Sequence, residues 1–169
     1  MTGGVVPLSA TVVRTPRAEV WNERPFLHGH TYSNHALGCA AAAAAIKVYR
    51  DDHLVRRSAE LGEYALERAH ELKEKHRSIG DVRGKGLFVG LELVKDRASK
   101  QPLVTSSRSG PSPKEKVLAQ AMDEGVYMMP GQGTVLFVAP PLNISRAELD
   151  QALEVLDAAL ELADAEADG

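Results

Sequence analysis

With 169 residues, 44% of them hydrophobic and 25% charged, the chain has apolar side chains enough for an ordinary core and the length of one domain or a domain and a half. A formal net charge of -3 gives no electrostatic case for binding nucleic acid or an anionic membrane surface. The single cysteine, Cys39, excludes an internal disulfide framework and suits a reducing compartment; with no apolar run of membrane-spanning length and no basic n-region at Met1-Thr2-Gly3-Gly4, a cytoplasmic protein is expected.

Residues 5–13 form an apolar, β-branched run interrupted by Pro7, which predicts a buried strand and its approach loop. Next, Phe26-Leu27-His28-Gly29-His30-Thr31-Tyr32-Ser33-Asn34-His35 leads into Cys39 and the alanines at 40–45. Small hydroxyl side chains and a glycine, set ahead of a helix whose first-turn N–H groups lack intrahelical partners, suit a phosphate or a carboxylate. The competing reading is a plain Ser or Asn N-cap on an alanine-rich helix. Cys39 reads as a small apolar helix residue, because nothing near it in sequence would activate its thiol. Residues 36–76 read as helix in two pieces broken near Asp51-Asp52, the second carrying Leu54, Leu61, Ala65 and Leu72 at helical spacing with charges between them.

From Ser78 the pattern changes. Leu87, Val89, Leu91 and Leu93 alternate with Phe88, Gly90, Glu92 and Val94, which is strand periodicity after a glycine-rich turn. Residues 96–113, including Ser106-Ser107-Arg108-Ser109-Gly110-Pro111, read as an exposed loop. Residues 114–124 make a short helix with Val117, Leu118, Ala121 and Met122 apolar and Gly125 as its stop. Residues 126–129 and 134–139 read as short strands around Pro130-Gly131-Gln132-Gly133. Ser145-Arg146-Ala147-Glu148 is a capping box, and Leu149, Leu153, Leu156, Leu160 and Ala163 form the inner stripe of a closing helix. The alternation of strands and helices predicts a compact α/β layer.

Two other chemistries find no support. His28, His30 and His35 crowd together, yet no carboxylate or cysteine shares a ligand-like spacing with them, so no metal site is expected. Gly84-Lys85-Gly86 precedes a strand instead of opening a helix and makes no dinucleotide fingerprint.

The segment 26–35 resembles the F-x-H-G-x-T-Y-S-x-H signature of class III (omega-type) aminotransferases, which are pyridoxal 5'-phosphate enzymes of fold type I. Three further blocks resemble that family in its own order: Met1-Thr2-Gly3-Gly4-Val5-Val6-Pro7-Leu8-Ser9-Ala10-Thr11, the stretch 80–93 beginning Gly80-Asp81-Val82-Arg83-Gly84-Lys85-Gly86, and Ala139-Pro140-Pro141-Leu142 with Glu148-Leu149-Asp150. The resemblance implies an α/β fold, the C-terminal portion of a fold type I enzyme. Residues 1–50 would be the tail of the large cofactor domain, 51–77 a linking helix whose stripe packs across the domain junction, and 78–169 the small domain. Apolar faces that would pack on the rest of the large domain predict poor solubility.

Transamination uses pyridoxal phosphate as an electron sink, and the protein must supply a lysine, an acid facing the pyridine nitrogen and an anchor for the phosphate. The resemblance makes Thr31 the phosphate donor, acting across a homodimer interface, with Tyr32 and Ser33 as lesser candidates. The family's lysine falls two residues before the position of Met1, so the chain as given is not expected to transaminate alone. Lys47, Lys73, Lys75, Lys85, Lys95, Lys100, Lys114 and Lys116 read as solvated surface lysines. Two family positions for a substrate-carboxylate arginine fall on Phe137, which reads as a buried strand residue, and on Pro130; neither offers a guanidinium clamp. Arg83 is the remaining candidate for touching substrate, against a structural salt bridge or turn role. The implied activity is transfer of an amino group from an amine or amino acid to a keto acid such as pyruvate. The alternatives are a non-catalytic dimerisation or binding module derived from the small domain, and an aminomutase.

Overall fold

A computed structural model describes residues 1–103 and 110–168; residues 104–109 of the exposed loop read at 96–113 lie outside the described residues, and the reading is corrected at Gln101–Pro102, which form a short strand, and at Leu103, which is buried. The chain divides into two compact units, Met1–Leu54 and Val55–Gly169.

The first unit holds two single-turn helices, α1 (Thr15–Ala18) and α2 (Val20–Glu23), and one long helix, α3 (Ala36–Asp51). The strand expected at 5–13 does not form: those residues carry no regular structure, and Val5 and Val12 are 73% and 91% exposed. A strand needs a neighbouring ladder for its N–H and C=O groups, and the first unit contains no other strand. Leu8 instead lays its side chain beside Gly38 of α3, where a Cβ would sit 3.7 Å away. Helix α3 ends where the sequence predicts, because His53 adopts a left-handed φ of 51° just beyond the Asp52 C-cap.

Helix α4 (Leu54–Lys75) is followed by β1 (Ile79–Lys85), β2 (Phe88–Asp96), β3 (Gln101–Pro102), α5 (Pro113–Asp123), β4 (Val135–Val138) and α6 (Arg146–Asp164). Strand β2 is the hub, pairing antiparallel with β1, β4 and the short β3. Val82 and Leu136 both lie opposite Leu91, so the apolar alternation read from the sequence faces one way across the sheet. Val89, Leu91 and Leu93 meet Ala65, Ala69 and Leu72 of α4, Val117 of α5, and Leu149, Leu153, Leu156, Leu160 and Ala163 of α6 in one core. The α4 stripe therefore belongs to the core of the second unit.

Strand β1 is not anticipated by the sequence. Its Gly80, Asp81, Arg83, Gly84 and Lys85 dilute the apolar pattern, and a register shift between Ile79 and Asp81 puts Ile79 and Val82, three residues apart, both in the core. Residues 126–129 fail as a strand for a different reason. The α5 stop is a Schellman motif, in which Val126 N–H donates to Ala121 O at 2.8 Å and Gly125 N–H, at φ 84°, to Met122 O at 3.0 Å. The chain leaves that turn without joining the ladder, apart from a single bridge of Pro130 to Leu136. Lys114 also departs from its expected place on the solvated surface. It is buried, with Nζ donating to Gly131 O at 2.6 Å and Gly133 O at 2.5 Å, and burial holds its ammonium below the usual lysine range.

Candidate functional site

Residues 31–34 form a turn immediately before α3. Ser33 N–H donates to His30 O at 2.9 Å, His35 N–H to Tyr32 O at 3.2 Å, and Asn34 sits at φ 59°. The N-cap of α3 is His35, and its side chain makes no capping hydrogen bond. The competing reading of a Ser or Asn cap does not hold: the Ser33 hydroxyl turns back to accept from His30 N–H at 3.0 Å, and the left-handed Asn34 sits one residue outside the cap position.

The consequence is a helix start that no side chain closes, preceded by an exposed hydroxyl-bearing turn. Thr31, Tyr32 and Ser33 are all exposed, Tyr32 at 76%. Cys39 is exposed too, on the first turns of α3. Rings line the approach, with Trp21 against Phe26 at 4.9 Å, Phe26 against His28 at 5.8 Å and His28 against His30 at 4.9 Å. Hydroxyl and N–H donors at a helix start fit a phosphate, whose oxygens accept from both and whose charge the helix dipole favours.

Arg83 lies in the second unit, exposed on β1, and its Nη1 donates to both Asp81 at 2.5 Å and Glu92 at 2.7 Å. Those two carboxylates hold the guanidinium charge still higher than usual, and the Arg83 hydrogen bond keeps the Asp81 carboxyl below its ordinary range. The structure thus shows Arg83 in the salt-bridge role. Phe137 is half-buried on β4 and stacked on Phe88 at 5.1 Å, which leaves no guanidinium at that family position. Beside it runs an apolar groove of about 470 Å³ lined by Val126, Met128, Phe137, Ile144 and Leu153 among others. The sequence offered no sign of it, because the apolar residues 126–129 read as a strand.

Residues 1–160 match the Aminotransferase class-III family, and the chain belongs to it. It is 38% identical over 159 residues to the leucine/methionine racemase of Thermococcus litoralis, covering 94% of this chain and 34% of that protein. To the taurine–pyruvate aminotransferase of Rhodobacter capsulatus it is 34% identical over 172 residues, covering 95% of this chain and 36% of the relative. Among solved structures it superposes with a TM-score of 0.85 and 29% identity on the taurine:2-oxoglutarate aminotransferase of Bifidobacterium kashiwanohense in complex with PLP and glutamate, covering 97% of this chain and 36% of that one. The chain spans about a third of the length of these relatives.

Proposed function

We propose that this chain is the C-terminal portion of a pyridoxal 5'-phosphate-dependent transaminase that moves an amino group from an amine or amino acid to a keto acid such as pyruvate. The observation that carries the reading is the exposed Thr31 turn at an open helix start, within a segment that matches the class III family. Thr31 would hold the cofactor phosphate through its hydroxyl and N–H, with Tyr32 and Ser33 beside it. When bound, the cofactor supplies an electron sink for cleavage at the amino carbon. In this reading the residues of this chain bind and orient the phosphate.

In this reading the working protein is a cytoplasmic homodimer in which Thr31 serves the phosphate bound by the other copy, residues 1–50 complete a large domain and 78–169 form the small one. Arg83 is left out of substrate binding, because Asp81 and Glu92 already claim its guanidinium. The self-contained core of the second unit favours a second reading, a non-catalytic dimerisation or binding module.

The reading frame upstream of Met1 separates the two. A lysine encoded two residues before Met1 is expected, and its absence overturns the enzyme reading. In the protein so extended, Thr31→Ala should weaken pyridoxal phosphate binding by about 10- to 100-fold, the worth of one hydrogen bond to a charged group, while Thr31→Ser keeps most of it. Titration of the visible absorbance band of protein-bound cofactor reads this directly. The 169-residue chain alone should give no such band, and unchanged affinity in Thr31→Ala removes Thr31 from the site.

A further inference from the structure

We propose that residues 126–133 form a strap along one wall of the apolar groove beside β4, hinged at glycines and latched by Lys114, and that this strap opens as a unit while the core stays closed. The inference is independent of the aminotransferase reading. The groove, of about 470 Å³, is lined by Tyr127, Met128 and Met129 of this segment together with Phe137 of β4 and Leu149 and Leu153 of α6.

Little else holds the segment down. Tyr127 and Met129 are 70% and 61% exposed, while Met128 rests half-buried against the core. Among the described residues the sheet reaches it only through the bridge of Pro130 to Leu136, and a proline brings no N–H to such a pairing. Left-handed glycines bound it, Gly125 at φ 84° and Gly133 at φ 58°, and a Cβ built on either meets nothing within 4 Å. Glycine moves between backbone basins without a Cβ clash, as a hinge requires.

Backbone carbonyls of a folded chain need donors, and those from Gly131 to Thr134 each have one. Thr134 O accepts from Leu93 N–H at 3.1 Å and Gln132 O from Val135 N–H at 3.2 Å, whereas Gly131 O and Gly133 O both accept from Lys114 Nζ, at 2.6 and 2.5 Å. One ammonium thus spans the turn and holds Gly131 against β4, where a Cβ would lie 2.4 Å from Val135 O and 3.0 Å from the Phe137 ring. The other end of the latch is fixed. Lys114 is 8% exposed and sits in the first turn of α5, whose capping box closes through Ser112 N–H to Glu115 at 2.6 Å and Glu115 N–H to Ser112 Oγ at 3.3 Å. Hydrogen bonds from an ionised donor are stronger than neutral ones, so breaking these two is the main cost of opening. Once they break, the two carbonyls pass to water, the strap swings about Gly125 and the groove widens.

Native-state amide exchange on the full 169-residue chain tests the strap. In the wild type, the Val135 amide should exchange through an opening that costs less, and responds less to added urea, than the opening of the Leu153 and Leu156 amides in α6. If all three exchange together with the same urea dependence, nothing opens separately and the proposal falls. Lys114→Met keeps the apolar stem and removes the ammonium. Val135 should then exchange at least about 10-fold faster, the worth of one charged hydrogen bond, with Leu153 and Leu156 little changed. Acceleration shared equally by α6, or absent at Val135, overturns the latch. Should Lys114→Met fail to fold, Lys114→Gln, which is neutral but keeps a donor, takes its place with the same expected direction.

Discussion

Helices α3 and α6 are close in length, 16 and 19 residues, but they hold themselves in opposite ways. Helix α6 buries Leu149, Leu153, Leu156, Ala159, Leu160 and Ala163 against the sheet and its neighbours. Helix α3 buries only Gly38 and Ala42, leaving Leu37, Ile46, Val48 and Tyr49 in solvent. In a globular protein most helical stability comes from packing an apolar face, with intrinsic propensity a smaller contribution. Helix α6 has the packing; α3 relies on its run of alanines, the strongest helix formers. The same contrast extends to the units: in Met1–Leu54 only Thr2, Gly38, Ala42 and Leu54 are buried. The second unit contains its own stabilising partners, and the first leaves most of its apolar side chains exposed.

The largest expected effect breaks that contrast or upholds it. Leu156→Ala removes a fully enclosed side chain and should cost about 2–5 kcal/mol, read as a drop in the urea midpoint. Ile46→Ala, on the open face of α3, should stay within about 0.5 kcal/mol. A cost for Ile46→Ala comparable to that for Leu156→Ala would mean that the outer face of α3 is packed in solution, as a dimer of copies would pack it.

Glycine positions sharpen the comparison at the next level down. Gly62 of α4 crosses the Gly86 turn so closely that a Cβ would overlap the Gly86 backbone, and Ser58 Oγ accepts from Leu87 N–H at 3.2 Å in the same crossing. Backbone cannot yield as a flexible side chain can, so Gly62→Ala should cost about 1–3 kcal/mol in thermal unfolding. Gly29, in the first unit, has nothing within 4 Å of a built Cβ, and Gly29→Ala should leave the midpoint unchanged. Equal costs at the two positions would remove the distinction between a closed and an open unit.

What the sequence allowed one to see, and what it hid, divides along similar lines. Local signals carried the α6 capping box and stripe, the β2 alternation, the Gly125 stop and the α3–α4 break, because each depends on residues within a turn or two. Errors came where partners are distant. Residues 5–13 and 126–129 have strand-like composition, but a strand exists only with a ladder beside it. The partners of His76 lie 81 and 88 residues away on α6, and Arg83 meets Glu92 only because β1 and β2 pair. For the candidate site, the hydroxyl-rich turn was legible as a pattern, while the true N-cap was not, since Asn34's left-handed backbone and Ser33's backward hydrogen bond are settled in three dimensions.

The smallest expected effect concerns two serines ahead of two helices. Ser145 accepts from Glu148 N–H at 3.2 Å while Glu148 accepts from Ser145 N–H at 2.8 Å, so the first turn of α6 is closed by the chain itself. Losing such a cap costs about 1 kcal/mol, and Ser145→Ala should lower the unfolding midpoint accordingly. Ser33 accepts only from the exposed His30 N–H and closes no helix, so Ser33→Ala should change stability by less than about 0.5 kcal/mol. If both serines cost the same, Ser33 is closing α3 in solution after all, and the N–H groups proposed to receive a phosphate are already taken. If Ser33→Ala is silent in the melt, Ser33 does not close α3, and its first-turn N–H groups stay open, as the proposed phosphate contact requires.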